Sequence, residues 1–188
     1  MGTHDLKRLQ ASETLLVVID VQERLLPAME EGARERLTAN LVRLGEASRV
    51  LGFSTLVTEQ YPRGLGGTVA DVKGAFSDVA PMEKVTFDAF ADEAIGARLE
   101  ELRPATVLVT GMETHICVFQ TVRSLVDRGY RTMVIEDAVA SRTEENRRTG
   151  LDLARRAGAI VTSTETVLFD ILGQAGGDAF KAISRLIR

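Results

Sequence analysis

Short, almost continuously apolar runs alternate along this chain with longer stretches whose apolar positions recur every three or four residues. Thr14 to Asp20 (TLLVVID) is the clearest run. Its unbroken apolar residues predict a strand buried on both faces rather than a half-solvated one. From Gly32 to Leu51 the period changes: Leu37, Leu41, Leu44, Ala47 and Leu51 line one side of a predicted helix, which Gly52 ends. Ser54 to Thr58 (STLVT) is the second predicted strand. A short strand around Lys84 and Val85 follows, then a helix from Asp92 to Leu102, a strand at Ala105 to Thr110 and a helix from Thr114 to Arg128. The pattern continues with a strand at Arg131 to Glu136, a helix from Glu144 to Ala157 and a strand at Ala159 to Thr162. Residues 178–187 form a terminal helix with Phe180, Ile183 and Ile187 on one side.

Only one long stretch, Tyr61 to Pro81, lacks either period. Pro62, Gly64, Gly66, Gly67 and Gly74 gather there and predict a structureless loop, the kind that in a compact domain is functional or mobile. With six strands and intervening helices, the fold expected is α/β. It is a three-layer α/β/α sandwich around a Rossmann-like, mostly parallel six-stranded sheet. No linker or change of composition divides residues 1–188, so one domain is expected, with its core over 14–170.

Composition narrows the function classes. Hydrophobic residues make up 45% and charged residues 27% of 188, with a formal net charge of −4. The basic residues are scattered, which argues against a nucleic-acid surface. No apolar run approaches a membrane span, and MGTHDLKRLQ carries no signal-peptide core. A single cysteine rules out an internal disulfide framework and favours a reducing compartment, so a cytoplasmic location is expected.

In open parallel sheets the ligand site lies beyond the carboxyl ends of the strands. That rule selects Asp20, Thr58-Glu59-Gln60, Lys84, Gly111 to Cys117, and Asp137. Cys117 as a type is more often a packed small hydrophobe than a catalyst. Its position changes that. With Gly111 closing a strand and Thr114 as N-cap, Cys117 falls in the first helical turn, where free N–H groups and the helix dipole favour a thiolate. The chain's two histidines offer no base: His4 lies in the N-terminal tail, and His115 is offset by two residues onto the opposite helix face. They also leave no imidazole cluster for zinc or iron, so no metal or other cofactor is expected. Asp20, ending a doubly buried strand, needs a counter-charge, and Lys84 at another strand end can supply it. The same residues admit a blander reading, with Asp20 capping a turn and Lys84 on the surface. Gly64 to Thr68 lacks a phosphate-loop lysine and no Gly-x-Ser-x-Gly elbow occurs. Asp137, Ser141 and Arg142 read better as a local turn network than as a site.

Four segments in order, LLVVIDVQ (Leu15 to Gln22), TEQYPRGLGGT (Thr58 to Thr68), EKVTF (Glu83 to Phe87) and GMETHICVFQT (Gly111 to Thr121), resemble the isochorismatase-like cysteine hydrolases. TEQYPRGLG looks closest to isochorismatase-domain-containing proteins of unassigned substrate. The resemblance implies an Asp20–Lys84–Cys117 triad and a cis peptide between Met112 and Glu113. It also implies an oxyanion hole from the backbone N–H groups of Glu113 and Cys117. Two departures restrict the chemistry it implies. Thr58 to Lys73 lacks the histidines of the nicotinamidase metal site, and the true isochorismatases lack the cysteine that this chain has. The implied activity is metal-independent cleavage of an amide-type C–N bond in a small molecule, through an acyl-thioester on Cys117. Gln22, Tyr61 and Phe87 are expected to line the pocket, Asp88 to make it more acidic, and the chain to form a homo-oligomer. Residues Tyr61 to Ala80 would close the pocket or meet a neighbouring subunit. The rivals are a redox-active single thiol reacting with peroxide, and a binding module that keeps the fold without turnover.

Overall fold

The computed structural model describes residues 6–188. Its centre is a six-stranded sheet in the order β3-β2-β1-β4-β5-β6. The strands are β1 (Thr14–Ile19), β2 (Ser54–Gln60), β3 (Met82–Lys84), β4 (Thr106–Met112), β5 (Arg131–Ala140) and β6 (Ile160–Thr162). Every neighbouring pair is parallel. Around them lie α1 (Glu31–Leu51), α4 (Glu93–Leu102), α5 (Phe119–Asp127), α6 (Glu144–Ala157), α7 (Thr164–Leu172) and α8 (Gly177–Ile187). The short helices α2 (Pro62–Leu65) and α3 (Ala70–Ala75) fall between β2 and β3.

Alternate residues of each strand feed two separate cores, which is why β1 reads as continuously apolar. Leu16 and Val18 pack with Leu37, Leu41 and Leu44 of α1 and with Val167 and Leu168 of α7. Leu15, Val17 and Ile19 face the other way, onto Ile95 and Leu99 of α4 and Val122 and Leu125 of α5. The result is the expected three-layer sandwich.

Several boundaries differ from the sequence expectation. The segment 61–81 is not structureless, because α2 and α3 are too short to show a helical period in sequence. An antiparallel bridge between Gln22 and Thr68 ties it to the end of β1. Helix α7 follows β6 almost at once and was not anticipated. β5 runs on to Ala140, past an irregularity in its pairing with β4 between Val109 and Gly111. Gly111 there has φ +104, and a Cβ would lie 2.0 Å from the Ile19 carbonyl oxygen, so only glycine lets β4 pass β1 at that point. Among the described residues no helix is long and apolar enough to cross a membrane.

The sheet reverses its strand order between β1 and β4, from which the chain winds outward in both directions. Asp20 follows β1 and Cys117 follows β4, so both stand at the crevice where this architecture places ligands.

Candidate active site

β1 stops at Ile19, and Asp20 turns the chain with φ +54, a left-handed conformation costly to a residue with a side chain. Its N–H donates to the Thr58 carbonyl at 3.1 Å, which fixes the turn against the adjacent strand. Both carboxylate oxygens are engaged: Oδ1 accepts from Thr58 Oγ1 at 2.7 Å and Oδ2 from Lys84 Nζ at 2.6 Å. Lys84 Nζ also donates to Gln60 Oε1 at 2.6 Å and to the Thr86 carbonyl at 3.1 Å. An ammonium has three protons, and three acceptors surround this one. Asp20 and Lys84 are buried, with side chains at zero exposure, so the blander readings of a surface lysine and a turn-capping aspartate do not hold.

Cys117 lies in a π-helical turn, Thr114–Val118, that leads into α5. The N-cap of this turn is Glu113, not Thr114 as expected from sequence; the buried Thr114 Oγ1 has no hydrogen-bond partner. The Glu113 carbonyl accepts from Ile116 N at 3.0 Å and Val118 N at 3.2 Å. The peptide bond Met112–Glu113 is cis.

The sequence reading of a thiolate stabilised by a helix start needs correction. Burial pushes the Cys117 thiol up from 9.0 to about 12, and the nearby Asp20 charge adds to the rise. The Lys84 charge opposes this, a hydrogen bond with Asp20 reinforces it, and a backbone hydrogen bond from Glu113 opposes it. Desolvation disfavours the charged form more than the turn favours it. The direction of the shift favours the protonated thiol.

The remaining candidates divide. Tyr61 and Lys84 line a cavity of about 340 Å³ together with Arg63, Glu83, Val85 and Asp92. A larger groove of about 1140 Å³ runs along α1 between α3 and α8 and includes no member of the triad. Gln22 is not among the residues that line the cavity of Tyr61 and Lys84, nor are Asp20 and Cys117; Gln22 is buried, its Nε2 donates to the carbonyls of Gln60 and Gly66, and its Oε1 accepts from Gln60 N. It secures the loop to β2 instead. Phe87 is 54% exposed and does not line the cavity. Asp88 Oδ1 caps the 3-10 turn Ala89–Ala91 by accepting from Phe90 N. His115 Nδ1 is 3.0 Å from Ser141 Oγ, and His4 lies outside the described residues. Among the described residues no group of three or more His, Cys, Asp or Glu could hold a metal ion.

Asp137, Ser141 and Arg142 do not form a local turn network. Asp137 Oδ1 accepts from Thr164 N and Oγ1 at the start of α7. Ser141 meets His115, and Arg142 donates from N and Nε to Glu113 Oε2 at 3.2 and 3.1 Å. All three reach across more than twenty residues of sequence, which local turn rules do not detect. The only hint was that Ser141 and Arg142 follow β5, the strand beside β4.

Residues 14–166 match the family model described as the isochorismatase domain. The secreted isochorismatase effector Isc1 of Phytophthora sojae is 34% identical, the alignment covering all of this chain and 90% of the relative. Isochorismatase domain-containing protein 1 of Salmo salar is also 34% identical, over 93% of this chain, which spans 61% of that relative's length. Among solved structures, the MAR1 ribonuclease of Caenorhabditis elegans superposes with a TM-score of 0.88 at 31% identity, covering 96% of this chain and 92% of that one. The YcaC gene product of Escherichia coli, described as an octameric hydrolase of unknown specificity, has a TM-score of 0.87 at 20% identity, over 96% and 89% of the two chains, and speaks to the fold alone. With its aspartate, lysine and cysteine gathered at the switch point of the sheet, the chain belongs to the isochorismatase domain family, whose members are generally hydrolases.

Proposed function

We propose that the protein is a metal-independent cysteine hydrolase that cleaves an amide-type C–N bond of a small molecule through an acyl-thioester on Cys117. The observation that carries this reading is the buried Asp20–Lys84 pair set against the thiol of Cys117. All three ammonium protons of Lys84 are engaged, by Asp20, Gln60 and the Thr86 carbonyl, which orients the charge rigidly towards Asp20. Lys84 acts as a fixed positive charge. Asp20 is then the proton carrier.

As the thiol sulfur attacks the substrate carbonyl, its proton passes to Asp20. The charge that develops on the carbonyl oxygen is met by the backbone N–H groups of Glu113 and Cys117. When the tetrahedral intermediate collapses, the C–N bond breaks and Asp20 returns the proton to the departing amine. Water then enters, gives a proton to Asp20 as it attacks the thioester, and releases the acid and the thiol.

Exposure of 0% at Asp20, 2% at Lys84 and 6% at Cys117 suits a small acyl compound better than a polymer such as RNA. The single cysteine of the chain leaves no resolving thiol for a peroxide-driven cycle, which favours hydrolysis over the redox reading. The octamer described for YcaC and the exposed side chains of Tyr61, Val85 and Phe87 support assembly of several copies. The lone thiol supports a cytoplasmic location, although the Phytophthora sojae relative is named as secreted.

The test is a panel of small amides incubated with wild type and Cys117→Ala, read by product release and by intact mass. An acyl adduct present in wild type and absent from the variant is expected. Turnover that survives in Cys117→Ala would reject the mechanism. A wild type that forms no adduct and turns over no amide would favour the binding module.

A further inference from the structure

The turn that carries Cys117 is gripped from outside by the junction between β5 and α6. Glu113, its N-cap, holds the turn through its carbonyl, which accepts from Ile116 N and Val118 N. The side chain of the same residue ends in a carboxylate only 7% exposed. A buried carboxylate is retained in place only if it is paired and hydrogen-bonded. Its partner is Arg142, immediately after β5, which gives two bonds to a single oxygen: one from its backbone N–H and one from its guanidinium Nε. Arg142 is itself 56% exposed, so its outer half contributes little to the core. One residue earlier, Ser141 bonds His115 in the same turn.

We infer that Arg142 is a positioning residue for the nucleophile: by clamping the Glu113 carboxylate it fixes the Glu113 peptide, whose carbonyl caps the turn that carries Cys117. The inference rests on the reading of Cys117 as the nucleophile of an Asp20–Lys84–Cys117 triad. Arg142 touches neither the sulfur nor the other two triad members. In Arg142→Met the backbone N–H of residue 142 still reaches the Glu113 carboxylate, but the guanidinium bond and its positive charge are lost. A buried carboxylate without a counter-charge is drawn outward to water, and that movement shifts the peptide that caps the turn. The backbone hydrogen bond from Glu113 is one of the influences holding the thiol pKa down, so its loss should be read at the sulfur.

The experiment measures the rate of iodoacetamide labelling of Cys117 from pH 7 to 11 by intact mass, with thermal midpoints recorded in parallel. Arg142→Met is expected to label about tenfold more slowly at pH 9, the weight of roughly one hydrogen bond to a charged group, with its profile displaced to higher pH. The double variant Glu113→Gln plus Arg142→Met has a neutral amide that needs no counter-charge, and its rate should return to within about threefold of wild type, since paired changes cancel when the two groups act through each other. A wild-type rate and profile in Arg142→Met overturns the assignment. So does a double variant as slow as the single one, because the guanidinium would then act by some other route. If Arg142→Met fails to fold, the double variant alone decides by the same threefold criterion. Asp20→Asn is the control for the underlying reading, because loss of its charge should move the profile to lower pH. If Asp20→Asn leaves the profile unmoved, the triad and the clamp fall together. If it moves the profile while Arg142→Met does not, only the clamp falls.

Discussion

Lys84 Nζ lies 2.6 Å from Asp20 Oδ2, and neither side chain has any solvent exposure. A pair so placed has surrendered the hydration of both groups, and only their mutual contact and hydrogen bonds offset that loss. Removing one partner leaves an uncompensated charge in the interior. Asp20→Asn or Lys84→Met alone is expected to cost about 3–5 kcal/mol of folding stability, whereas the double variant should cost less than the sum of the two. Chemical denaturation of the four proteins checks this. Single variants each costing under about 1 kcal/mol would mean the pair behaves like an exposed one.

The thiol of Cys117 makes its own contribution to stability against pH. Its pKa in the folded protein is about 12, above the ordinary value of 9.0. The folded state therefore keeps a proton that the unfolded state releases between those two values. The stabilisation is complete below pH 9 and is lost as pH rises towards 12. Wild type should accordingly lose stability across pH 9 to 11 more steeply than Cys117→Ala, all other titrating groups being shared. Parallel slopes in the two proteins would sink the assignment of a raised thiol pKa.

The placement of Asp20, Lys84 and Cys117 at one edge of the sheet was legible in sequence because each closes or follows a strand, and in a parallel sheet strand ends converge on one edge. Asp20 stood out as a charge directly after five apolar residues. What sequence could not reveal is the state of the sulfur. The position of Cys117 near a helix start suggested a thiolate, but the depth of burial and the approach of Asp20 are set by packing of distant segments. The contacts of Gln22 were hidden for a related reason: its amide bonds to backbone groups from the far end of β2 and from Gly66, which only the packing of distant segments brings together. Helix α7 did leave signals, Ser163 as N-cap and Gly173 as C-cap, but it is only nine residues long and opens its apolar part with three consecutive apolar residues, Val167 to Phe169, too short a span to display a helical period.

Asp137 is the strand-end candidate that the structure removes from the chemistry. Its carboxylate accepts from the N–H and the hydroxyl of Thr164, both at 2.9 Å, and so caps the first turn of α7. Asp137→Ala should cost about 1–2 kcal/mol, as lost helix caps do. The iodoacetamide labelling profile of Cys117 should stay as in wild type. A displaced profile would return Asp137 to the list of site residues.

Gly150 on α6 faces the backbone of the turn that carries Cys117, and a Cβ there would lie 2.5 Å from Thr114 C, 2.6 Å from Thr114 O and 2.7 Å from His115 N. These are backbone atoms of a turn already held by Glu113 and by Ser141, so they cannot yield as the end of a flexible side chain can. Gly150→Ala must push α6 away or shift the turn, at an expected cost of about 1–3 kcal/mol for overpacking. Gly32, near the start of α1, meets nothing within 4 Å, and Gly32→Ala should instead stabilise the protein by about 0.4–1 kcal/mol through a less flexible unfolded chain. Thermal midpoints should therefore move in opposite directions for the same chemical change. Cys117 labelling should be altered only in Gly150→Ala, because only there does the added methyl bear on the turn that aims the sulfur. Equal midpoints, or an unchanged labelling rate in Gly150→Ala, would show that the turn can move without consequence for the nucleophile.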